Sequence, residues 1–131
     1  MSLRSVAVKL KIPDNEAYTA LTALRRLGVN VARVERAVVW QFEESADPAA
    51  RIERSETLFN PNKHELEVLE QNGPRAGEAW VEELGAREER GMRRYIAWRL
   101  FSEGHTPADD ATVGAAVERL LCNPAIERAI T

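Results

Sequence analysis

The sequence has one cysteine, Cys122, among its 131 residues, so the chain cannot form an internal disulfide. No apolar run approaches the roughly 20 residues that a membrane-spanning helix needs. The first four residues, Met1 to Arg4, lack the apolar segment of a secretory signal peptide. These absences predict a cytoplasmic protein. The formal net charge is only −3, so the chain has no general attraction for nucleic acid or for an anionic membrane.

The sequence also has few residues of the kinds that carry out catalysis or bind metals. Cys122 follows two leucines, and an apolar setting raises the pKa of a thiol, so we interpret it as a structural cysteine rather than a nucleophile. His64 and His105 are the only histidines, and together with Cys122 they lack the short spacing of metal ligands. No glycine joins a strand to a helix with the spacing of a phosphate-binding loop. We therefore expect no catalytic residue, no cofactor and no metal site.

What the sequence does contain is an ordinary balance of 44% hydrophobic and 30% charged residues. A chain of this length supports a single hydrophobic core, and we expect one domain that spans residues 1–131. No repeat with a period of about 20–50 residues is visible, which argues against a solenoid.

The clearest element is a helix between Thr106 and Pro124. Thr106 is predicted to cap its start, and Asp109 and Asp110 would interact favourably with the helix dipole, which explains this acidic pair better than catalysis does. Asn123 and Pro124 are predicted to end the helix. The apolar residues recur with helical spacing and mark one buried face: Val113, Ala116, Val117, Leu120 and Leu121.

Residues 5–43 alternate between strand and helix patterns. Apolar and polar residues alternate from Ser5 to Ile12, which indicates a strand with one buried face. Glu16 to Leu27 follows as an amphipathic helix, and Gly28 is placed to end it. Val31 to Phe42 returns to a period of two and predicts one bent strand or two short ones.

The middle of the chain, about residues 44–106, gives weaker patterns. His64 to Glu70 is strand-like, and the turn residues Gln71 to Pro74 that follow it suggest a hairpin. Ala86 to Arg90 is compatible with a short helix. Arg94 to Phe101 alternates as a strand does, although a helix is the alternative interpretation, and we choose the strand.

This order of elements predicts an α+β fold. We expect a two-layer β-α-β-β-α-β arrangement, in which helices 16–27 and 107–122 cover one face of an antiparallel sheet. Residues 44–106 would form a mostly β insertion. The two helices are expected to bury apolar residues of the sheet: Val6, Val8, Leu10, Ile12, Val34, Val38, Trp40 and Phe42.

Two stretches of the sequence resemble a known family. The first contains Val8-Lys9-Leu10, an alanine-rich helix that opens at Asp14 and ends in Leu27-Gly28-Val29, and the apolar run Val31 to Phe42. The second is Leu120 to Glu127, which reads Leu-Leu-Cys-Asn-Pro-Ala-Ile-Glu. Over these two parts, roughly 5–43 and 107–128, the chain is similar to the small PurS-type subunit of phosphoribosylformylglycinamidine synthase.

The resemblance implies a non-catalytic subunit in purine biosynthesis. Subunits of this type form dimers or tetramers and bridge a synthetase subunit to a glutaminase subunit, so the resemblance implies a homo-oligomer with those two partners. Aromatic side chains are frequent anchors of protein interfaces, which adds three residues from the middle of the chain. The candidate interface residues are Leu120, Leu121, Asn123, Pro124, Ile126, Glu127, Phe59, Trp80 and Trp98.

The stretch Arg93 to Phe101 suggests a different function. Its arginines interleave with Tyr95 and Trp98, a composition typical of surfaces that bind single-stranded nucleic acid. Four glutamates lie close by in the sequence and would neutralise much of this charge, so we rank a nucleic-acid-binding module second to the assembly subunit. An enzyme of unrecognised type is the third alternative.

Overall fold

The computed structural model describes residues 3–43, 47–88 and 91–131. These residues form an α+β fold with one seven-stranded sheet and three α-helices, which confirms the predicted fold class. Among them no helix is long and apolar enough to cross a membrane. In chain order the elements are β1 (Leu3–Leu10), α1 (Asn15–Arg26), β2 (Arg33–Glu43), α2 (Pro48–Glu53), β3 (His64–Val68), β4 (Glu78–Glu83), β5 (Arg93–Glu103), β6 (Thr106–Pro107), α3 (Asp110–Ala116), a π-helical turn (Val117–Leu121) and β7 (Glu127–Ile130).

The strands of the sheet are antiparallel and follow the order β3-β1-β2-β5-β4-β7, with β6 paired to β5. The long pairing of β2 with β5 forms the centre of the sheet, from Arg33 opposite Phe101 to Gln41 opposite Arg93. β5, α3 and β7 make a split β-α-β unit, because β4 lies between the two parallel strands. β1, α1 and β2 do not form such a split unit, because β1 and β2 are direct antiparallel neighbours although α1 connects them.

Residues 44–106 supply β3, β4 and β5 to this same sheet. β3 and β5 confirm the two strands predicted in this region. The predicted hairpin after β3 is wrong, because β3 pairs with β1 at one edge of the sheet and β4 lies near the other edge. No helix forms at residues 86–88, and the remaining residues of that predicted helix, 89 and 90, lie outside the described ranges.

The three helices lie on one face of the sheet, which we call the helical face. Leu24 of α1 and Val113 of α3 pack with Val34 and Leu100 of the central strands. Ile52 of α2 packs with Trp40 at the other end of β2. Val34 and Trp40 are an even number of residues apart on one strand, so they point to the same side of the sheet.

The predicted core of the sheet is partly correct. Val34 packs beneath α1 and α3 as predicted. The other four buried residues of the set pack beneath α2 and Met92 instead. The prediction that Ile12 is buried is wrong, because β1 ends at Leu10 and the Ile12 side chain is 60% exposed. Leu10 and Val38 are only partly buried. The buried residues of the predicted set are Val6, Val8, Val34, Trp40 and Phe42.

α1 begins and ends within one residue of its prediction. The Asp14 side chain accepts hydrogen bonds from the backbone N–H groups of Glu16 and Ala17, at 3.0 and 3.2 Å. Gly28 follows the last turn with a φ of 83°, a left-handed conformation that glycine adopts without a steric penalty. Both ends are therefore set by residues adjacent in sequence.

The C-terminal helix begins later than predicted. Thr106–Pro107 forms β6, because this segment pairs with the end of β5 instead of opening a helix. Asp109 caps α3 in place of Thr106: its carboxylate accepts a hydrogen bond from the Thr112 N–H at 2.8 Å. This bond lowers the pKa of the Asp109 carboxyl. The interpretation of Asp109 as a helix-start residue rather than a catalytic acid is consistent with this position.

The same helix ends in a π-helical turn. The Cys122 N–H donates to the Val117 carbonyl five residues back, at 3.2 Å, so the last turn is wider than an α-helical turn. The widening rotates Leu120 away from the buried stripe. Leu120 is 40% exposed, whereas Leu121 is only 7% exposed and belongs to the core.

The opposite face of the sheet, which we call the loop face, is crossed by the segment 69–77 that connects β3 to β4. Leu69 packs with Trp80 and Tyr95 of that face. Asn72 accepts a hydrogen bond from Ser5 Oγ at 2.9 Å and donates one to the Leu3 carbonyl at 2.7 Å. The segment is thus held by a few apolar contacts and a small polar network.

Candidate functional site

An apolar groove of about 380 Å³ runs along the helical face between α1 and the π-helical turn. Trp98, which projects from β5 and is partly buried, contributes to its lining. Leu120 and Leu121 form the side that belongs to the π-helical turn. The side that belongs to α1 consists of Asn15, Glu16, Thr19, Ala20 and Ala23.

The groove exists because α1 carries small residues where it faces the C-terminal helix. Thr19, Ala20 and Ala23 lie on one stripe of α1 at helical spacing, and their short side chains leave space between the two elements. Arg119 closes one end of the contact by donating a hydrogen bond to the Leu27 carbonyl at 2.9 Å. Buried Leu121 packs the π-helical turn onto the core, so exposed Leu120 is presented beside the groove.

The groove carries almost no uncompensated charge. Its one carboxylate, Glu16, forms an ion pair with Arg36 at 3.1 Å. The Arg36 guanidinium in turn lies 5.6 Å from the centre of the Trp98 ring, within the range of a cation–π interaction. A groove of this kind suits an apolar side chain better than a charged ligand.

The structure brings together three of the candidate interface residues, Leu120, Leu121 and Trp98, in this groove. Ile126 is 59% exposed but lies elsewhere, at the end of β4, where its carbonyl accepts from the Leu84 N–H at 2.8 Å. Asn123 and Pro124 are also exposed there.

Glu127 and Phe59 have local structural roles, and the prediction that Trp80 lies at the surface is wrong. The Glu127 carboxylate accepts from the Asn123 N–H at 2.9 Å, which stabilises the turn before β7. Phe59 is partly buried against the core beneath α2. Trp80 is only 1% exposed, because β4 turns it into the loop face under segment 69–77, so it is not a surface residue.

The residues considered for chemistry, Cys122, His64 and His105, each have local contacts in the structure. Partial burial raises the pKa of the Cys122 thiol, and the carboxylate of Glu127 raises it further. His64 Nδ1 accepts from the Asn60 N–H at 3.0 Å, and His105 Nδ1 lies 3.3 Å from a nitrogen of Arg33. Within residues 3–43, 47–88 and 91–131 no group of three or more potential ligands is positioned for a metal ion.

The stretch proposed for nucleic-acid binding does not form a single surface. Because β5 alternates, Trp98 faces the helices while Tyr95 and Phe101 face the other side. Tyr95 and Phe101 are each 3% exposed, so bases have no access to their rings. Arg93 donates two hydrogen bonds to the buried Glu82 carboxylate, at 3.0 and 3.1 Å.

The contribution of α1 to the groove was not anticipated from the sequence. A signal was present, since Glu16, Thr19, Ala20 and Ala23 follow one another at helical spacing and three of them are small. Small residues on a helix are equally compatible with close packing, so this pattern alone does not indicate a groove. The gap depends on where the C-terminal helix lies.

Comparison with models of known protein families found no match to this chain. Comparisons with curated proteins and with solved structures found no match either. The similarity to PurS-type subunits therefore stays a prediction.

Proposed function

We propose that this chain is a non-catalytic assembly subunit that pairs with a second copy of itself through the apolar groove. The observation that supports the proposal is the convergence of Leu120, Leu121 and Trp98, three residues expected at interfaces, in one groove without net charge. Burial of such a groove releases water from apolar surface, which drives most stable protein association.

The groove is suited to reciprocal pairing. In a twofold dimer each patch meets the same patch of the partner, so a surface needs both a projection and a cavity. Leu120 projects 40% exposed beside the groove, and the small residues Ala20 and Ala23 form its opposite side. The Leu120 side chain of each copy would enter the groove of the other.

The sheet edges are less suited to this role. β7 contains only four residues, and β3 alternates its apolar residues with Glu65 and Glu67. Short edge strands and charged side chains discourage pairing of one sheet edge with another. The helical face is therefore the better location for an interface between copies.

The more specific proposal follows the PurS resemblance. A dimer of this chain would bridge a synthetase and a glutaminase subunit of a formylglycinamidine ribonucleotide synthase in purine biosynthesis. A pull-down from source lysate at high salt tests this proposal, because protein contacts through apolar surface persist where nucleic-acid binding is lost. Recovery of those two enzymes supports it, and recovery of salt-labile RNA or DNA alone contradicts it.

Assembly itself is tested by light scattering with a matched pair of variants. The parent is expected at twice the 14.7 kDa chain mass, and Leu120→Asp at the mass of one chain, since a carboxylate buried in an apolar interface is strongly unfavourable. Ile126→Asp is the control, because Ile126 is even more exposed but lies outside the groove. A parent that stays monomeric at micromolar concentration would contradict the proposal.

A further inference from the structure

The loop face contains a second cavity, of about 370 Å³, beside the segment that crosses it. Three alanines on three neighbouring strands lie in it: Ala7 on β1, Ala37 on β2 and Ala97 on β5. Ala37 and Ala97 are directly opposite each other in the strand register. Because alanine is short, the sheet forms a flat apolar floor, and we call this cavity the charged cleft after the side chains around it.

The cations and carboxylates around the charged cleft are mostly paired with each other. Lys9 lies 3.5 Å from Glu35, and Arg33 approaches the same carboxylate to 2.7 Å. Arg75 pairs with Glu78 at 3.0 Å. Glu78 is only 3% exposed and also accepts a hydrogen bond from the Trp80 indole at 3.0 Å.

Arg99 is the exception, since Arg36, whose Nε is also shielded and unpartnered, forms an ion pair with Glu16. In the strand register it lies between Glu35 of β2 and Glu78 of β4, yet both carboxylates are occupied by other donors. Across the described ranges Arg99 forms no ion pair, and its Nε, which is fully shielded from solvent, has no hydrogen-bond partner. Its guanidinium lies 5.3 Å from the centre of the Phe101 ring.

An unpartnered buried guanidinium nitrogen is unfavourable, and most buried polar groups in folded proteins have a partner. A ligand cannot reach the shielded Nε itself, but Arg99 lines the charged cleft and has no carboxylate partner among the described residues. A ligand carboxylate can supply one at the outer guanidinium nitrogens, because its two oxygens match their fork. A phosphate dianion fits less well, since it would add two negative charges close to Glu35 and Glu78.

The opposite end of the charged cleft offers a second point of contact, because the Glu65 carboxylate is held only by a long ion pair with Lys9. Glu65 lies across from Lys9 in the register of β3 and β1, and the closest approach of their charged groups is 3.9 Å. The Glu65 side chain is 58% exposed, so its carboxylate is accessible from solvent. Glu65 and Arg99 are three strands apart and two residues out of register, which corresponds to roughly 16 Å between their backbones.

We propose that the charged cleft binds an elongated amino-carboxylate, with its carboxylate on Arg99, its ammonium group on Glu65 and its chain across the alanine floor. An ω-amino acid or a short peptide has this chemistry. An α-amino acid is too short, because its two charges are separated by a single carbon. This site is on the face opposite the apolar groove, so it is independent of the proposed assembly role.

The test is a titration followed by amide chemical shifts, with 6-aminohexanoate as the probe. We expect saturable shifts at Ala37 and Ala97 at millimolar probe. Hexanoate, which lacks the ammonium group, is expected to bind several-fold more weakly. Glycine and inorganic phosphate are expected to give no saturable shift. Absence of binding by 6-aminohexanoate overturns the proposal, and so does tighter binding of phosphate.

Variants assign the two ends of the ligand. Arg99→Gln should weaken binding of 6-aminohexanoate at least tenfold, whereas Arg94→Gln is the control, since Arg94 is an exposed residue of the same strand that lies on the helical face, outside the charged cleft. Glu65→Gln should weaken 6-aminohexanoate and leave hexanoate unchanged. Equal losses for both ligands would contradict an ammonium contact at Glu65.

A third variant tests the floor without changing any charge. Ala37→Leu places a larger side chain in the charged cleft and should abolish binding of the probe. Its amide spectrum away from β2 should match that of the parent, which shows that the fold is kept. Unchanged binding by this variant would overturn the location of the site.

Discussion

The two faces of the sheet are covered in different ways. On the helical face, three helices bury a large apolar area, with Leu24, Ile52 and Leu100 fully shielded from solvent. On the loop face, one segment without regular structure does the covering, and it is anchored through Asn72 to Ser5 and Gln41. The comparison indicates that buried apolar area holds the helical layer on the sheet, whereas the loop also depends on specific hydrogen bonds.

Both candidate sites lie where the cover of a face ends. The apolar groove opens where the small residues of α1 fail to meet the π-helical turn, and the charged cleft opens beside segment 69–77. The chemistry of each site depends on whether helices or a loop cover that face of the sheet. A gap between helices exposes apolar core residues, and a gap beside a loop exposes the charged residues of the strands.

The largest effect is expected from truncation of the helical layer. Leu121→Ala should lower the free energy of unfolding by about 2–5 kcal/mol, because it leaves a cavity under the π-helical turn. Leu120→Ala at the neighbouring, exposed position should cost much less. Urea unfolding of both variants measures the difference, and equal losses would show that the helix is packed differently.

The next largest loss of stability is expected at Gly77, where segment 69–77 ends. A Cβ added at Gly77 would lie 2.7 Å from the Leu100 carbonyl, and the residue has a φ of 76°. Gly77→Ala should therefore cost about 1–2 kcal/mol for the left-handed backbone and about 1–3 kcal/mol more for the clash. Gly85→Ala is the control, with a φ of 73° and open space around it. Thermal unfolding that ranks Gly85→Ala as the worse variant would contradict this packing.

The polar anchor of the loop face is tested at Asn72. Asn72→Ala removes the acceptor of the fully buried Ser5 hydroxyl and should cost about 1–3 kcal/mol. Gln71→Ala is the matched control, because its side chain donates only to carbonyls of the same segment. Faster amide exchange confined to β1 and segment 69–77 would locate the loss. A stability equal to that of the control would mean that apolar contacts alone hold the loop.

A smaller and pH-dependent effect is expected at the start of α3. The hydrogen bond from Thr112 lowers the pKa of Asp109, so the carboxylate stabilises the fold above its unfolded pKa of about 3.8 and loses this contribution as the pH falls through the lower folded value. Asp109→Ala should thus lower the melting temperature slightly at pH 7 and progressively less in acid. Asp109→Asn keeps the cap without the titration, and a pH-independent gap between Asp109→Ala and the parent would refute the assignment.

The smallest change in stability is expected at Arg99. Arg99→Met removes the unpartnered nitrogen while keeping most of the side-chain volume, so stability should stay equal or rise by up to about 1 kcal/mol. Arg93→Met is the contrast, since it removes the two hydrogen bonds that Arg93 donates to the buried Glu82 carboxylate and should lower the stability of the fold. A clear loss for Arg99→Met would show that Arg99 is a structural residue and would weaken the case for the charged cleft.

Several elements could be read from neighbouring residues. Asp14 and Gly28 delimit α1 because capping and a left-handed turn depend on the residues next to the helix. β2 and β5 could be recognised from alternation over their length. The prediction for Thr106 failed although its pairing is also local, because β6 folds back on the end of β5, three to six residues earlier, and this competes with a helix start at Thr106.

The candidate sites were less accessible to sequence reasoning. Leu120 and Leu121 are adjacent and equally apolar, and the helical pattern placed both on the buried stripe, yet of the two only Leu121 is buried in the π-helical turn. Trp80 and Trp98 are the same residue type on neighbouring strands, and the register decides which face each one joins. The residues of the charged cleft come from β1, β2, β3, β4, β5 and segment 69–77, and no local pattern connects them.

By itself, the sequence determined the α+β class, the ends of α1, the strands with clear alternation and the absence of any disulfide within the chain. These properties depend on contacts between residues a few positions apart. The tertiary structure alone decided that β5 pairs with β2, that segment 69–77 crosses the loop face, and that Arg99 lies between two occupied carboxylates. Those outcomes depend on which distant surfaces bury each other, and that choice is made by the whole chain at once.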